Sequence, residues 1–353
     1  MADYTQYGGP SKEWLAIADS LPQVSPDAPR SQRRRLLNEM REKAAAEGMK
    51  ILGPQVKMHD YSIPTCDGSS IEARSYRPVS VDSSKALPVY YHLHGGGWFF
   101  GTLASEDATC ARIAINTQVV VFNVNYRHTP EHVYPTAWED VEDAFEWLHD
   151  HIQDIGGDAK QVVMGGVSAG AQLTASFVLG KHLGKVSSAE RPSPVGQILM
   201  IPNLVNMHCY EPLKAKLKSP SLSSYEQNKD AAIMPMPVVQ FFMNQLKIDG
   251  PQADDLRLNP ILASEDQVKG LPPTVFGIAG WDILRDEGLF WAETLATLSV
   301  PTDVHLFPGL PHGFRRAGDK LAASERWDKV MENGITWALS NPAASGKFDI
   351  QVE

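Results

Sequence analysis

Gln161-Val162-Val163-Met164-Gly165-Gly166-Val167-Ser168-Ala169-Gly170 is a short apolar run that ends in small residues around one serine. A β-branched run of this length suits a strand buried on both faces of a parallel sheet, and the stretch 169–182 after it reads as a helix. A serine hydroxyl becomes an effective nucleophile only when it is held clear of its neighbours, within reach of a base. A sharp strand-to-helix turn does this, and it leaves no room for side chains two residues to either side, where Gly166 and Gly170 stand. Ser168 is therefore the candidate nucleophile of an α/β chain.

Upstream, His94-Gly95-Gly96-Gly97-Trp98 also follows an apolar run, Pro88 to Leu93. Three successive glycines leave backbone N–H groups open to a ligand, as acyl transfer requires where negative charge develops on the substrate oxygen. Downstream, Gly280-Trp281-Asp282-Ile283-Leu284-Arg285-Asp286-Glu287 follows the strand-like 274–279, and Pro311-His312-Gly313-Phe314 follows 302–307. Serine, acid and histidine thus occur in the chain order of α/β-hydrolases, each just past a strand. Of the three acids, Asp286 and Glu287 open the helix 286–299, where the positive end of the dipole accounts for them. Asp282 precedes that helix and is the candidate partner of His312. His94 reads as a residue that orders its loop, His305 as a satisfied strand histidine and Trp98 as a packing residue.

Strand signals fall at 55–63, 70–77, 88–93, 118–124, 161–166, 196–201, 274–279 and 302–307, with helical stretches at 140–151, 169–182 and 286–299. The first two strands flank Asp67-Gly68 and predict an antiparallel hairpin at the sheet edge. Residues 1–54 are helical and partly polar, with breaks at Pro22, Pro26 and Pro29. Their run of Arg30, Arg33, Arg34, Arg35 and Arg41 is interrupted by Glu39, Glu42 and Glu47, and reads as a solvated helix face rather than a membrane-surface helix. Between 203 and 260 the alternation lapses, apart from a helical stretch at 238–246. Met207, Met234, Met236, Phe241, Phe242 and Met243 there supply apolar surface for either a pocket wall or a core.

The motifs HGGGW, GVSAG, WDILRDEG and PHGF, with Tyr126-Arg127-His128-Thr129-Pro130-Glu131-His132-Val133-Tyr134-Pro135 running on to Asp140, resemble those of the hormone-sensitive-lipase-like carboxylesterases. The likeness runs in order from about residue 55 to 340. It departs at Val167 and Ala171, where that family usually has Asp and Gly. The resemblance implies an α/β-hydrolase fold: a mostly parallel eight-stranded sheet flanked by helices, its core formed by 55–202 and 261–353. Residues 1–54 and the insertion 203–260 would together form a helical cap. It also implies Gly96 and Gly97 as oxyanion donors, to which the position of Ala169 after the nucleophile adds a third. The expected activity is hydrolysis of a small-to-medium uncharged ester, without cofactor or metal. Amide or formamide hydrolysis and acyl transfer use the same groups and remain open. A small-molecule receptor, as the plant gibberellin receptors are within that family, would lack the histidine that stands here as His312.

The chain has 353 residues and a formal charge of −10, which argues against general nucleic-acid binding. Its three cysteines, Cys66, Cys110 and Cys209, are far apart and odd in number, as expected of a reducing compartment. With no leader-like amino terminus and no long apolar run, the expectation is a soluble cytoplasmic protein without stable membrane insertion. A small-molecule ester is the expected partner, and the sequence allows a homodimer.

Overall fold

The computed structural model describes residues 1–22, 24–25 and 28–353; Pro26, one of the expected breaks, lies outside the described residues. The strands are β1 (Val56–Pro64), β2 (Ser70–Pro78), β3 (Leu87–Leu93), β4 (Val120–Asn125), β5 (Gly157–Val167), β6 (Gly196–Met200), β7 (Thr274–Trp281), β8 (Thr302–Pro311) and β9 (Gln351–Val352). They form one nine-stranded sheet in the order β1-β2-β4-β3-β5-β6-β7-β8-β9. β1 and β2 are the expected edge hairpin, and β2 pairs antiparallel with β4. The pairs from β4 onward are parallel. The ninth strand corrects the expected eight. Two residues are too few to show a period, and β9 joins because the edge of β8 at His305 and Leu306 offers backbone groups to pair.

The longer helices are α1 (Arg30–Leu52), α2 (Leu103–Thr117), α3 (Thr136–Asp150), α4 (Ala169–His182), α5 (Met236–Gln245), α6 (Arg285–Thr297) and α7 (Ala323–Leu339). Successive strand residues point to opposite faces, so each central strand feeds two cores. Val162 and Met164 of β5 join Tyr91, Phe122 and the helix residues Phe145, Phe177 and Leu289 on one side. Val163 joins Val121, Val275 and the helix residues Ile113, Met331 and Ile335 on the other. α3, α4 and α6 therefore cover one face, and α2 and α7 the other. Each fully buried side chain of this size contributes roughly 1.5–3 kcal/mol. Among the described residues no helix is long and apolar enough to cross a membrane.

The irregular segment between β6 and β7 is tied down by the first turn of α6. Glu287 Oε2 accepts from the N–H groups of Leu204 (2.6 Å) and Val205 (3.2 Å), and its Oε1 accepts from the Tyr225 hydroxyl (2.9 Å). Asp286 Oδ2 accepts from the Ser224 N–H at 2.7 Å. Asn228 donates its side-chain amide to the Asp282 carbonyl at 2.8 Å. Both acids are fully buried, so they do more than complement a dipole.

Burial pushes the Glu287 carboxyl up to about 8, against the partial opposition of the Leu204 N–H and the Tyr225 hydroxyl. Between the ordinary value of 4.5 and this raised one, the folded chain holds a proton that the unfolded chain has released. Stability therefore falls as pH rises through that window. Glu287→Gln removes the dependence, so the variant's melting temperature relative to the native chain should climb between about pH 5 and about pH 9. A difference that stays constant across that range would contradict this account.

Candidate active site

β3, β5, β7 and β8 run parallel, so the loops that follow them gather at one end of the sheet, where open α/β sheets bind ligands. Register sets the neighbours. Leu93 pairs with Gly166, which brings the His94 to Gly97 loop beside Ser168. Trp281 pairs with Pro311, which brings Asp282 beside His312.

Ser168 has φ 55° and ψ −115°, a conformation that costs a non-glycine residue about 1–3 kcal/mol. Two hydrogen bonds hold it. Its N–H donates to the Met200 carbonyl at 2.8 Å, and its carbonyl accepts from Gln172 at 3.0 Å in the first turn of α4. A Cβ on Gly166 would lie 2.5 Å from the Leu93 carbonyl oxygen, and one on Gly170 would lie 2.1 Å from that same atom. Glycine is required here by contact with the end of β3.

His312 stands between the other two candidates. Its Nε2 is 2.8 Å from Ser168 Oγ, and its Nδ1 is 2.7 Å from Asp282 Oδ2. A carboxylate can only accept, so Nδ1 carries the proton and Nε2 is left to accept from the serine hydroxyl. Asp282 Oδ1 accepts from the Leu284 N–H at 3.0 Å, which fixes the carboxylate. Asp282 is 1% exposed and His312 8%. Asp286 and Glu287 are committed to the anchors described above.

Gly96 and Gly97 have φ of 143° and 60°. A Cβ on Gly97 would sit 2.4 Å from the Phe242 ring. Among the described residues, no backbone carbonyl accepts from the N–H of Gly96, Gly97 or Ala169. A small cavity is lined by Ser168, Ala169 and Gly97, and its other walls include Trp98, Asn203, Met234, Phe242 and Met243. Of the apolar residues singled out in the insert, Met207, Met236 and Phe241 do not line it. Phe241 packs edge-on against Phe99 at 5.1 Å, with the Arg33 guanidinium 4.6 Å over its ring. Trp98 stacks on Trp138 at 5.7 Å besides lining the cavity. A larger cleft of about 290 Å³, between Trp138, Leu173 and Arg257, lies away from Ser168. Ser168 does not line it, so the nucleophile belongs to the smaller cavity.

His94 is buried, and that burial lowers its imidazole to about 4. It donates to the Gly95 carbonyl at 3.1 Å and stacks on Tyr126, whose hydroxyl donates to the His94 carbonyl at 2.7 Å. His305 is satisfied by Glu353 and Asp303 at 2.6 and 3.1 Å. Arg127 holds the buried Asp140 through its backbone N–H and guanidinium, pinning the chain after β4 to α3. The basic run of α1 departs from its expected solvated face. Arg35 is exposed and pairs with Glu39, but Arg34 donates to the Thr129 carbonyl and Arg41 to the Gly95 carbonyl. The i, i+7 spacing of those two arginines was the available signal.

Residues 90–316 match the family model described as alpha/beta hydrolase fold. The chain is 30% identical over 283 residues to esterase LipI of Mycobacterium tuberculosis, covering 79% of this chain and 81% of that protein. It is 34% identical over 266 residues to carboxylic ester hydrolase LipN of the same organism, covering 74% and 66%. Among solved structures, a vibralactone cyclase superposes with a TM-score of 0.82 at 27% identity, covering 95% of this chain and 96% of that one. An esterase of the archaeon Pyrobaculum calidifontis superposes with a TM-score of 0.75 at 28% identity, covering 94% and 99%.

A serine in this setting should be modified by a fluorophosphonate. Ser168→Ala should abolish labelling in a folded chain. Asp282→Asn should slow labelling by about three to four orders of magnitude, whereas Asp286→Asn should chiefly lower the melting temperature. Labelling at another serine, or the reverse ranking of the two aspartates, would reassign the site.

Proposed function

The chain belongs to the α/β-hydrolase fold family, among its carboxylesterases, and on that footing we propose that it is a serine carboxylesterase of small-to-medium uncharged esters acting through Ser168, His312 and Asp282. The observation that carries the reading is the His312 bridge, 2.8 Å to the Ser168 hydroxyl and 2.7 Å to the Asp282 carboxylate.

Ser168 Oγ attacks the ester carbonyl carbon while its proton passes to His312 Nε2. The carbonyl electron pair collects on oxygen, where the N–H groups of Gly96, Gly97 and Ala169 receive it; one such donor is worth about 3 kcal/mol. Asp282 holds the imidazole in register and stabilises the imidazolium. As the tetrahedral species collapses, the C–O bond to the alcohol breaks and His312 protonates the departing oxygen. Water then gives its proton to the same nitrogen and attacks the acyl-enzyme. Collapse returns the proton to Ser168 and frees the carboxylic acid. None of these steps calls on a metal or cofactor.

The cavity walls carry no charged side chain among the residues named above, which supports an uncharged substrate. Residues 1–54 and 203–260 act in this reading as a cap that excludes water and shapes the pocket. The likeness to a protein named a cyclase favours one second reading, transfer of the acyl group to a hydroxyl of the same substrate in place of water. Hydrolysis in heavy-oxygen water separates the two. An esterase places the label in a released acid, and a cyclase releases an unlabelled lactone.

Phe242, which closes over Gly97, should control ester size. Phe242→Ala should shift kcat/KM toward longer acyl chains across a para-nitrophenyl ester series, by about tenfold for the favoured length. Phe241→Ala should shift it far less. A flat profile for a folded Phe242→Ala chain would move the pocket wall elsewhere.

A further inference from the structure

We propose that Arg41, on α1, is a positioning residue for the oxyanion loop, acting through the peptide that joins Gly95 to Gly96. This rests on the reading of the Gly96 N–H as an oxyanion donor.

In a trans peptide the carbonyl and the N–H point in opposite directions, so whatever fixes the oxygen aims the hydrogen. Each of the three donor peptides has its carbonyl held. The Gly96 carbonyl, on the peptide that carries the Gly97 N–H, accepts from Phe99 at 3.0 Å and Phe100 at 3.2 Å. The Ser168 carbonyl, on the peptide that carries the Ala169 N–H, accepts from Gln172 at 3.0 Å. The Gly95 carbonyl, on the peptide that carries the Gly96 N–H, accepts from the neutral His94 ring at 3.1 Å and from Arg41 Nη1 at 2.9 Å. This is the one donor peptide whose carbonyl is held by a charged group. A cation on the oxygen also draws electron density from the N–H, strengthening it as a donor.

Arg41 is itself held in place. Its Nη2 pairs with Glu106 Oε1, and Glu106 Oε2 accepts from His92 Nε2 at 3.1 Å. Burial pushes the Glu106 carboxyl up, but Arg41 and His92 outweigh it and hold the group well below its ordinary value. The same side of α1 reaches the two ends of the loop. Asn38 Oδ1 accepts from the Gly101 N–H at 3.0 Å, and Glu42 Oε1 accepts from the Thr102 hydroxyl at 2.7 Å. Residues 38, 41 and 42 lie at helical neighbour spacing, so one polar face of α1 grips the loop at Gly95, Gly101 and Thr102. Arg41 touches no reacting atom.

The test compares Arg41→Met, Arg41→Lys, Ser168→Ala and the exposed control Arg35→Met, using para-nitrophenyl butyrate and an alkyl trifluoromethyl ketone. The ketone adds Ser168 Oγ to its carbonyl carbon and leaves the oxygen as an oxyanion. Loss of alignment on this scale costs about tenfold to a hundredfold. Arg41→Met should lower kcat by that factor, leave KM within about threefold and weaken the ketone in step with kcat/KM. Lys reaches one oxygen where Arg reaches two, so Arg41→Lys should recover part of both, and Arg35→Met should match the native chain. Native kcat and ketone affinity in Arg41→Met overturn the proposal, as does a fall in kcat without loss of ketone affinity. Should Arg41→Met not fold, a folded Arg41→Lys with native ketone affinity overturns it equally. Hydrolysis or ketone binding surviving in Ser168→Ala would instead overturn the underlying esterase reading, and so tells the two failures apart.

Discussion

The Leu93 carbonyl oxygen is the point on which the site is built. Gly166 and Gly170 both close on it so tightly that no Cβ fits at either position. Gly166 lies near the end of β5 before Ser168, Gly170 in the first turn of α4 after it, and Leu93 ends β3 just before the glycine loop. One close approach of backbone therefore sets the nucleophile against the groups proposed to receive the substrate oxygen. The strained backbone at Ser168 persists because its neighbours leave no other path.

Around that contact, buried polar and charged groups carry out most of the joining. Glu287 and Asp286 tie the segment between β6 and β7 to α6, Arg127 and Asp140 tie the chain after β4 to α3, and Arg41 ties α1 to Glu106 of α2 and to the loop after β3. Such groups add little net stability over apolar residues of the same size, since each is desolvated. They do select one arrangement, because a charge left unpaired in the interior is far more costly than a misplaced methyl group. Segments without regular alternation, which apolar packing would locate only loosely, are thereby held to the sheet at defined atoms.

Much of the sheet was legible because its central strands are apolar on both faces and end in glycine, aspartate or proline-rich turns. Ser168, Asp282 and His312 were legible for the same reason, since each follows a strand in the order that parallel register brings together. Their meeting needed the pairs Leu93 with Gly166 and Trp281 with Pro311, which no local pattern states. β9 escaped because two residues have no period. Arg34 and Arg41 were hidden among exposed neighbours of like charge, and only the helix phase separates them from Arg35. Phe241 and Phe242 are adjacent and chemically identical; which of them lines the cavity depends on the rotation of α5 and on Gly97, a contact far away in sequence.

At the other end of the sheet, β9 lies against β8, with the Glu353 N–H donating to the Leu306 carbonyl at 2.9 Å and the Glu353 carboxylate on His305 at 2.6 Å. A parallel sheet that ended on β8 would present an unsatisfied ladder there, a template for any passing strand. Here Gln351 and Val352 occupy that ladder at His305 and Leu306. Continuous sheet extension from one molecule into the next across those residues would first have to displace β9, so that strand serves as a built-in guard against edge-to-edge polymerisation.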